Sequence, residues 1–136
     1  MKKVLSIVLA LVLVLGVFAG CGESSKSSDV KVGFIFLHDE NSTYDKNFMD
    51  AAKAAQAALG LKDDQVLFKT NIPEGQECYD AAAELVDAGC DLVFADSFGH
   101  EDYLIQAAKE FKDVQFCHAT GTKEHTENLP NFHNAF

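Results

Sequence analysis

The sequence predicts an α/β fold, a doubly wound parallel sheet with helices on both faces. Short apolar runs alternate with amphipathic segments along residues 30–119, which is typical of βαβ units. The apolar runs are nearly continuous, as expected for strands that are covered on both faces. Because crossovers between parallel strands are right-handed, the helices can be placed on both sides of the sheet.

Four strands and three helices are predicted in chain order. The apolar runs predicted to be strands are 30–37, 65–70, 91–95 and 114–119. The segments with apolar residues on one side, predicted to be helices, are 45–59, 75–88 and 101–111. Gly60 and Gly89 follow the first two helices, where glycine commonly ends a helix. Residues 120–136 lack a clear pattern and contain Pro130, so no element is predicted there.

The N-terminal residues have the pattern of a bacterial secretory signal. Lys2 and Lys3 precede an apolar run at 4–18, and a small-residue pair then leads into Cys21. The last four of these residues, Phe-Ala-Gly-Cys, resemble the lipobox of lipoproteins, so we expect a signal peptide at 1–20 and lipid on Cys21. A transmembrane anchor is the alternative, but the run is short for the ~30 Å of bilayer hydrocarbon.

A polar leash is predicted at 21–29, because this segment has no large apolar residue to bury. Together with the lipid signal, it predicts a domain tethered at the extracytoplasmic face of the cell membrane. The domain would then occupy residues 30–136.

Composition argues against several classes of protein. The formal net charge is −10, and a basic face able to neutralise nucleic-acid phosphates is not apparent. Cys78, Cys90 and Cys117 form neither a CxxC pair nor a zinc pattern. We interpret these three cysteines as small core residues, because each lies in or beside an apolar stretch.

Three polar loops follow predicted strands, at 37–47, 96–102 and 120–122. Ligands of open α/β sheets bind beyond the carboxyl ends of the strands, so this edge is the predicted site. Each polar residue also has a simpler interpretation, since Ser, Thr, Asn and Asp before a helix are commonly caps. The coincidence of three such loops favours the site.

Enzyme signatures are not recognised in the sequence. It contains no GxSxG, GxxxxGK[ST] or GxGxxG motif, and no cofactor is predicted. His38, Asp39 and Glu40 are adjacent and do not converge on one ion as spaced ligands do, so no metal is predicted. A phospho-acceptor receiver domain would place acids near Asp39, Glu40 and Asp96, but a secretory signal argues against that cytoplasmic chemistry.

Two stretches resemble the N-terminal lobe of the basic membrane protein family, VGFIFLHDENSTYDKNFMDAAKAA and LVFADSFGHEDYLIQAAKEFKDVQFCHATG. The FCHATG segment at 116–121 is the most specific part, and the resemblance covers about residues 30–121. Members are substrate-binding lipoproteins of ABC importers, and characterised ones include purine nucleoside receptors. Met49 differs from the nucleoside-binding members, which carry a polar side chain at that position. The segment at 41–44 differs from many members of the family, which have a tryptophan or a glycine-rich segment there.

The resemblance implies a lobe of the type I periplasmic-binding-protein fold. The family clasps its ligand between two hinged lobes, so the second lobe is expected to lie outside this sequence. The implied function is not enzymatic: the protein would deliver a small solute, possibly a nucleoside, to an ABC permease. The alternative is a membrane-tethered ligand sensor that acts on a signalling partner.

Individual roles follow for the loop residues. Tyr44 or Phe48 would stack on a ring-shaped solute, while Asp39, Asn41 and Asp45 would hydrogen-bond its polar atoms. The loop at 97–100 would line the pocket, and Asp102 would either bind the ligand or favour the start of a helix. The expected ligand-binding residues are Asp39, Asn41, Tyr44, Asp45, Phe48, Ser97, Phe98, Gly99, His100 and Asp102.

Overall fold

A computed structural model describes residues 29–135. The predicted signal peptide, the predicted lipidation site Cys21 and all of the predicted leash except its last residue lie outside the described residues. Within them, strands and helices alternate from the start of the domain to its end. The strands are β1 (Val32–Ile35), β2 (Val66–Lys69), β3 (Leu92–Ala95), β4 (Gln115–His118) and β5 (Phe132–Asn134). The helices are α1 (Thr43–Leu59), α2 (Gln76–Asp87), α3 (Glu101–Glu110) and α4 (Glu124–Glu127).

The five strands of residues 29–135 form one parallel sheet in the order β2-β1-β3-β4-β5. The predicted fold class, a doubly wound parallel sheet, is confirmed. β1 lies between β2 and β3, and the chain first runs to β2 on one side and then to β3 on the other. This reversal is the topological switch point, where ligands of such sheets bind beyond the strand ends.

One face of the sheet is covered by α2 and α3, and here the core is closely packed. Ile35, Val93 and Phe116 from the sheet are buried against Leu85 of α2 and Leu104 of α3. Gly33 permits this close approach, since a Cβ on it would lie 2.7 Å from the Cδ1 atom of Leu85. The helices on this face therefore fix the sheet and the direction of its carboxyl edge.

The opposite face is aromatic and carries α1. The strand register places Phe34 between Phe68 and Phe94, with ring centroids 5.5 and 5.9 Å away. Phe48 of α1 packs on this row, 6.4 Å from Phe94. Because successive strand residues point to opposite faces, these rings lie opposite the core formed with α2 and α3.

Two local devices set the helix ends. Ser42 caps α1, its side-chain oxygen accepting a hydrogen bond from the Asp45 N–H, and Gly60 ends that helix with φ 66°. The buried Asn131 side chain closes α3, its Nδ2 donating to the carbonyl oxygens of Ala108, Phe111 and Val114 at 3.0–3.1 Å. Asn131 thus joins the end of α3 to the start of β4 and to β5.

The structure differs from the sequence prediction mainly at the C-terminal end. Residues 120–136, for which no element was predicted, contain the short helix α4 and the edge strand β5. β5 has three residues, too few to show a periodicity in the sequence. α1 also begins at Thr43 rather than 45, because Ser42 is its cap.

Two of the three cysteines of the domain are core residues as expected, and the third is not. Cys78 and Cys90 are buried and Cys117 is half-buried, all as free thiols. Burial raises the pKa of Cys78 to about 12. Within residues 29–135, none of the helices has the length and apolar character needed to cross a membrane.

Candidate functional site

The carboxyl ends of β1, β2 and β3 bring three loops together at the switch point. They are 36–42 after β1, 70–75 after β2 and 96–100 after β3. The loop after β2 crosses toward β1, where the Ile72 N–H donates to the Phe36 carbonyl at 3.0 Å. Side chains that are far apart in the sequence therefore share one edge.

Asp45 holds the first of these loops together from inside. It is 1% exposed, and its carboxylate accepts from the His38 N–H at 2.9 Å and the Ser42 hydroxyl at 2.5 Å. The His38 Nδ1 atom lies 3.1 Å from the same carboxylate. Burial raises the pKa of Asp45, but the donors on Ser42 and His38 outweigh burial and bring the pKa below its ordinary value. The predicted ligand role of Asp45 stays untested, and its visible role is to shape the loop.

Asp96, at the end of β3, is buried without compensation. It is 0% exposed, and neither carboxylate oxygen has a hydrogen-bond partner among residues 29–135. Burial, with repulsion from the nearby Asp45 charge, raises the pKa of Asp96 to about 7. The sequence placed Asp96 in the second polar loop of the predicted site but did not name it among the ligand-binding residues, because burial without partners is not visible in a sequence.

Tyr44 presents a flat surface at the switch point. It is 48% exposed, and its hydroxyl donates to the Asp96 carbonyl oxygen at 3.0 Å. Phe48 packs against its ring in a T-shaped arrangement, with centroids 5.1 Å apart. Of the two aromatics predicted to stack on a ligand, Tyr44 is exposed and Phe48 is the half-buried support beneath it.

The loop after β3 presents a second aromatic ring. Phe98 is 67% exposed, whereas its neighbours Ser97 and His100 are buried. The His100 Nε2 atom lies 2.9 Å from the Ile72 carbonyl oxygen, and burial lowers the pKa of His100. The predicted lining residues of this loop thus divide: Phe98 is available at the surface, and His100 is committed to packing between two loops.

The remaining predicted residues lie at the rim. Asn41 donates from its backbone N–H and its Nδ2 to the Asp39 carboxylate at 3.0 and 2.9 Å. Asp102 is exposed in the first turn of α3 and pairs with Lys123. This placement agrees with the helix interpretation of Asp102, while Asp39 and Asn41 lie in the loop between β1 and α1.

Sequence reasoning missed the loop after β2. Glu74 in this loop accepts hydrogen bonds from the Ser97 hydroxyl and, at 2.9 Å, from the Gly99 N–H. The strand rule could have found the loop, since a parallel strand 2 ends at the same edge as its neighbours. The prediction considered only the loops after strands one, three and four.

The FCHATG segment closes the edge beside β4. His118 is buried, with its Nε2 atom 2.6 Å from the Ser97 carbonyl oxygen. The buried Glu101 carboxylate accepts from the N–H groups of Thr122 and Lys123 at 2.7 and 2.8 Å. Gly121 allows this contact, because a Cβ there would clash with the Glu101 Oε1 atom. The segment therefore supports the loop after β3 and has a clear structural role.

The arrangement offers two exposed aromatic rings and rim amides and carboxylates, which suits a flat, polar organic molecule better than an ion. Across the part of the chain that the structure describes, no three His, Cys, Asp or Glu side chains are grouped as metal ligands.

Comparison with known proteins gives one relative in sequence. The chain is 36% identical over 105 residues to a purine-binding protein of Brucella abortus (strain 2308). The match covers 75% of this chain and 29% of the relative, so the chain spans less than a third of that protein's length. No family model matches the sequence.

Two solved structures share the fold. An ABC transporter solute-binding protein from Conexibacter woesei DSM 14684 superposes with a TM-score of 0.65 at 20% identity, covering 77% of this chain and 34% of its own. A transcriptional activator of the comK gene from Bacillus halodurans superposes with a TM-score of 0.58 at 20% identity, covering 67% and 30%. At these identities the likeness establishes the fold.

Proposed function

We propose that this chain is part of a solute-binding protein that recognises a purine base or nucleoside at the carboxyl edge of β1 and β3. The observation that carries the proposal is the 36% identity to a protein named for purine binding, over 75% of this chain. The exposed rings of Tyr44 and Phe98 at the switch point supply a chemical reason, because purines are flat and stack on aromatic side chains.

The polar part of the solute would be recognised at the rim of the first loop. Asp39 and Asn41 already hydrogen-bond to one another, and each retains capacity for a partner on the ligand. Asp39 can accept from a sugar hydroxyl or an exocyclic amine, and the Asn41 amide can donate to a ring nitrogen. These contacts would add selectivity to a stacking surface that tolerates many rings.

The cellular role that we propose is delivery of the bound solute to an ABC permease at the outer face of the cell membrane. The signal pattern at 1–20 and the lipid-acceptor position of Cys21 support this location. A shared fold with an ABC solute-binding protein is compatible with it. The sequence relative is named for purine binding and the ABC transporter protein for solute binding, and neither is named for catalysis. These names agree with the expectation that this chain is not an enzyme.

The proposal is tested by calorimetric titration of the full-length protein with adenine, adenosine, guanosine, uridine and ribose. We expect saturable binding of at least one purine and no binding of ribose. Binding of sugars in place of purines would remove the purine assignment and leave a solute-binding role.

Uptake separates import from the alternative of a tethered sensor. A strain that lacks the gene should lose uptake of the radiolabelled purine if the protein serves a permease. Normal uptake together with a lost transcriptional response to purine would favour the sensor instead.

A further inference from the structure

The turn that presents Phe98 is fastened to the loop after β2 by two side-chain hydrogen bonds. The Ser97 hydroxyl and the Gly99 N–H, one on each side of Phe98, both donate to the Oε1 atom of Glu74. A single carboxylate oxygen therefore binds both neighbours of the exposed ring. These two hydrogen bonds lower the pKa of Glu74.

The contact is close because Gly99 has no side chain. A Cβ at Gly99 would lie 2.5 Å from the Glu74 carboxyl carbon and 2.8 Å from its Cβ and Cγ atoms. The Glu74 stem thus packs directly on the backbone of the turn. A second tie lies beside it, where the buried His100 ring meets the Ile72 carbonyl.

Phe98 is the part of this turn that faces outward. The Ser97 and His100 side chains turn inward, Ser97 to Glu74 and His100 to Ile72, while the phenyl ring of Phe98 is 67% exposed. Exposing a large apolar ring to water does not stabilise the fold. The two charge-assisted hydrogen bonds to Glu74 nevertheless stabilise a turn conformation in which Phe98 is exposed.

We propose that Glu74 is the positioning residue that holds Phe98 in its ligand-stacking conformation. This inference rests on the proposed function for the role of Phe98, whereas the contact between Glu74 and the turn is independent of any ligand. Glu74 itself need not touch the solute. It acts by removing the conformational freedom that the turn would otherwise lose on binding.

The affinity test uses the full-length protein titrated with adenine and adenosine. Glu74→Ala should weaken binding about three- to tenfold, the range expected when one aromatic contact is lost. Glu74→Gln keeps the accepting oxygen and should retain most of the affinity.

Phe98→Ala should weaken binding similarly, and Glu74→Ala should have little further effect in the Phe98→Ala background, because both act through one ring. Asp113→Ala, which removes an exposed acid far from the turn, is the charge-matched control.

A second readout needs no ligand. Hydrogen exchange at the Gly99 amide should accelerate at least about fivefold in Glu74→Ala, since its acceptor is lost, and should stay near the wild-type rate in Glu74→Gln. Unchanged exchange, or equal and additive losses of affinity in the two backgrounds, would overturn the positioning role. If the wild type binds no purine, the proposed function fails, and the exchange rates alone decide whether Glu74 fixes the turn.

Discussion

Asp96, at the carboxyl edge of the sheet, combines a fully buried carboxyl group with a strongly raised pKa. Its ordinary pKa of 3.8 rises to about 7 in the folded protein, so folding favours its protonated form. A group whose pKa is raised by folding stabilises the protein below its unfolded pKa, and this contribution is lost as the pH rises through the folded pKa. The relevant window is therefore between about pH 4 and pH 7.

Replacing Asp96 by Asn should remove this pH dependence. Relative to Asp96→Asn, the wild type should lose stability as the pH rises from about 4 to 8, by at most about 4 kcal/mol. The measurement is urea unfolding at several pH values without ligand. The lowered pKa values of His100 and His118 act in the opposite direction, but they are present in both proteins and cancel in the difference.

The exposed Asp113→Asn is the matched control and should leave the pH profile unchanged. A difference between wild type and Asp96→Asn that stays constant across this pH range would show that Asp96 titrates normally.

At the scale of single residues, the sequence predicted that the loops after β1 and β3 meet, but it missed the loop after β2 and did not predict which way the side chains turn. Tyr44 and Phe98 were predicted at the site and are exposed there. Asp45 and His100 were predicted beside them, yet they turn inward to His38 and to Ile72. The direction depends on partners brought by tertiary structure, above all the loop after β2, and such partners leave no local pattern in the sequence.

Among the elements, the last turn of α3 depends on one side chain. Asn131 donates to the carbonyl oxygens of Ala108, Phe111 and Val114 from the start of β5. Asn131→Ala should lower the free energy of unfolding by about 1–3 kcal/mol, because buried carbonyls lose their donor. Asn131→Asp should cost more, since a carboxylate would face three carbonyl oxygens.

Denaturant unfolding followed by circular dichroism measures both variants. Asn47→Ala, an exposed position in α1, is the control and should change stability by no more than about 0.5 kcal/mol. An Asn131→Ala protein as stable as this control would mean that α3 ends without its help.

The elements with a clear period were predictable, and the shorter ones were not. α1, α2 and α3 bury a continuous apolar stripe, and β1 to β4 are apolar runs, so their order is evident from the sequence. β5 is recognised only through its pairing with β4, where Phe116 faces Phe132. A strand of three residues is too short to show a periodicity, so only the pairing with β4 identifies it as a strand.

For the molecule as a whole, the sheet order makes the edge at β1 and β3 the expected place for a ligand. The order β2-β1-β3-β4-β5 follows from right-handed crossovers once the direction reverses after β2. Sequence alone predicted the parallel sheet but left this order open. The chain spans less than a third of its purine-binding relative, so the opposite wall of a clasped ligand stays a prediction.

Lipidation of Cys21 would attach the whole chain to the membrane, and substitution of this residue tests the attachment. The wild type should incorporate radiolabelled palmitate and fractionate with membranes, because its N-terminal pattern ends at a lipid-acceptor cysteine. Cys21→Ala should not be labelled and should no longer fractionate with membranes. Cys78→Ala, which removes a buried thiol, should be labelled like the wild type, and equal labelling of the Cys21 variant would exclude a lipid anchor there.

Calorimetric titration of the full-length protein with adenosine and adenine tests most directly whether the solute stacks on Tyr44 and Phe98. Tyr44→Ala and Phe98→Ala should each raise Kd at least about threefold, while Tyr44→Phe, which keeps the ring, should change it less. Tyr79→Ala, the same truncation on α2, is the control and should bind like the wild type. Unchanged affinity in both Tyr44→Ala and Phe98→Ala, in a protein that binds either purine, would place the site elsewhere.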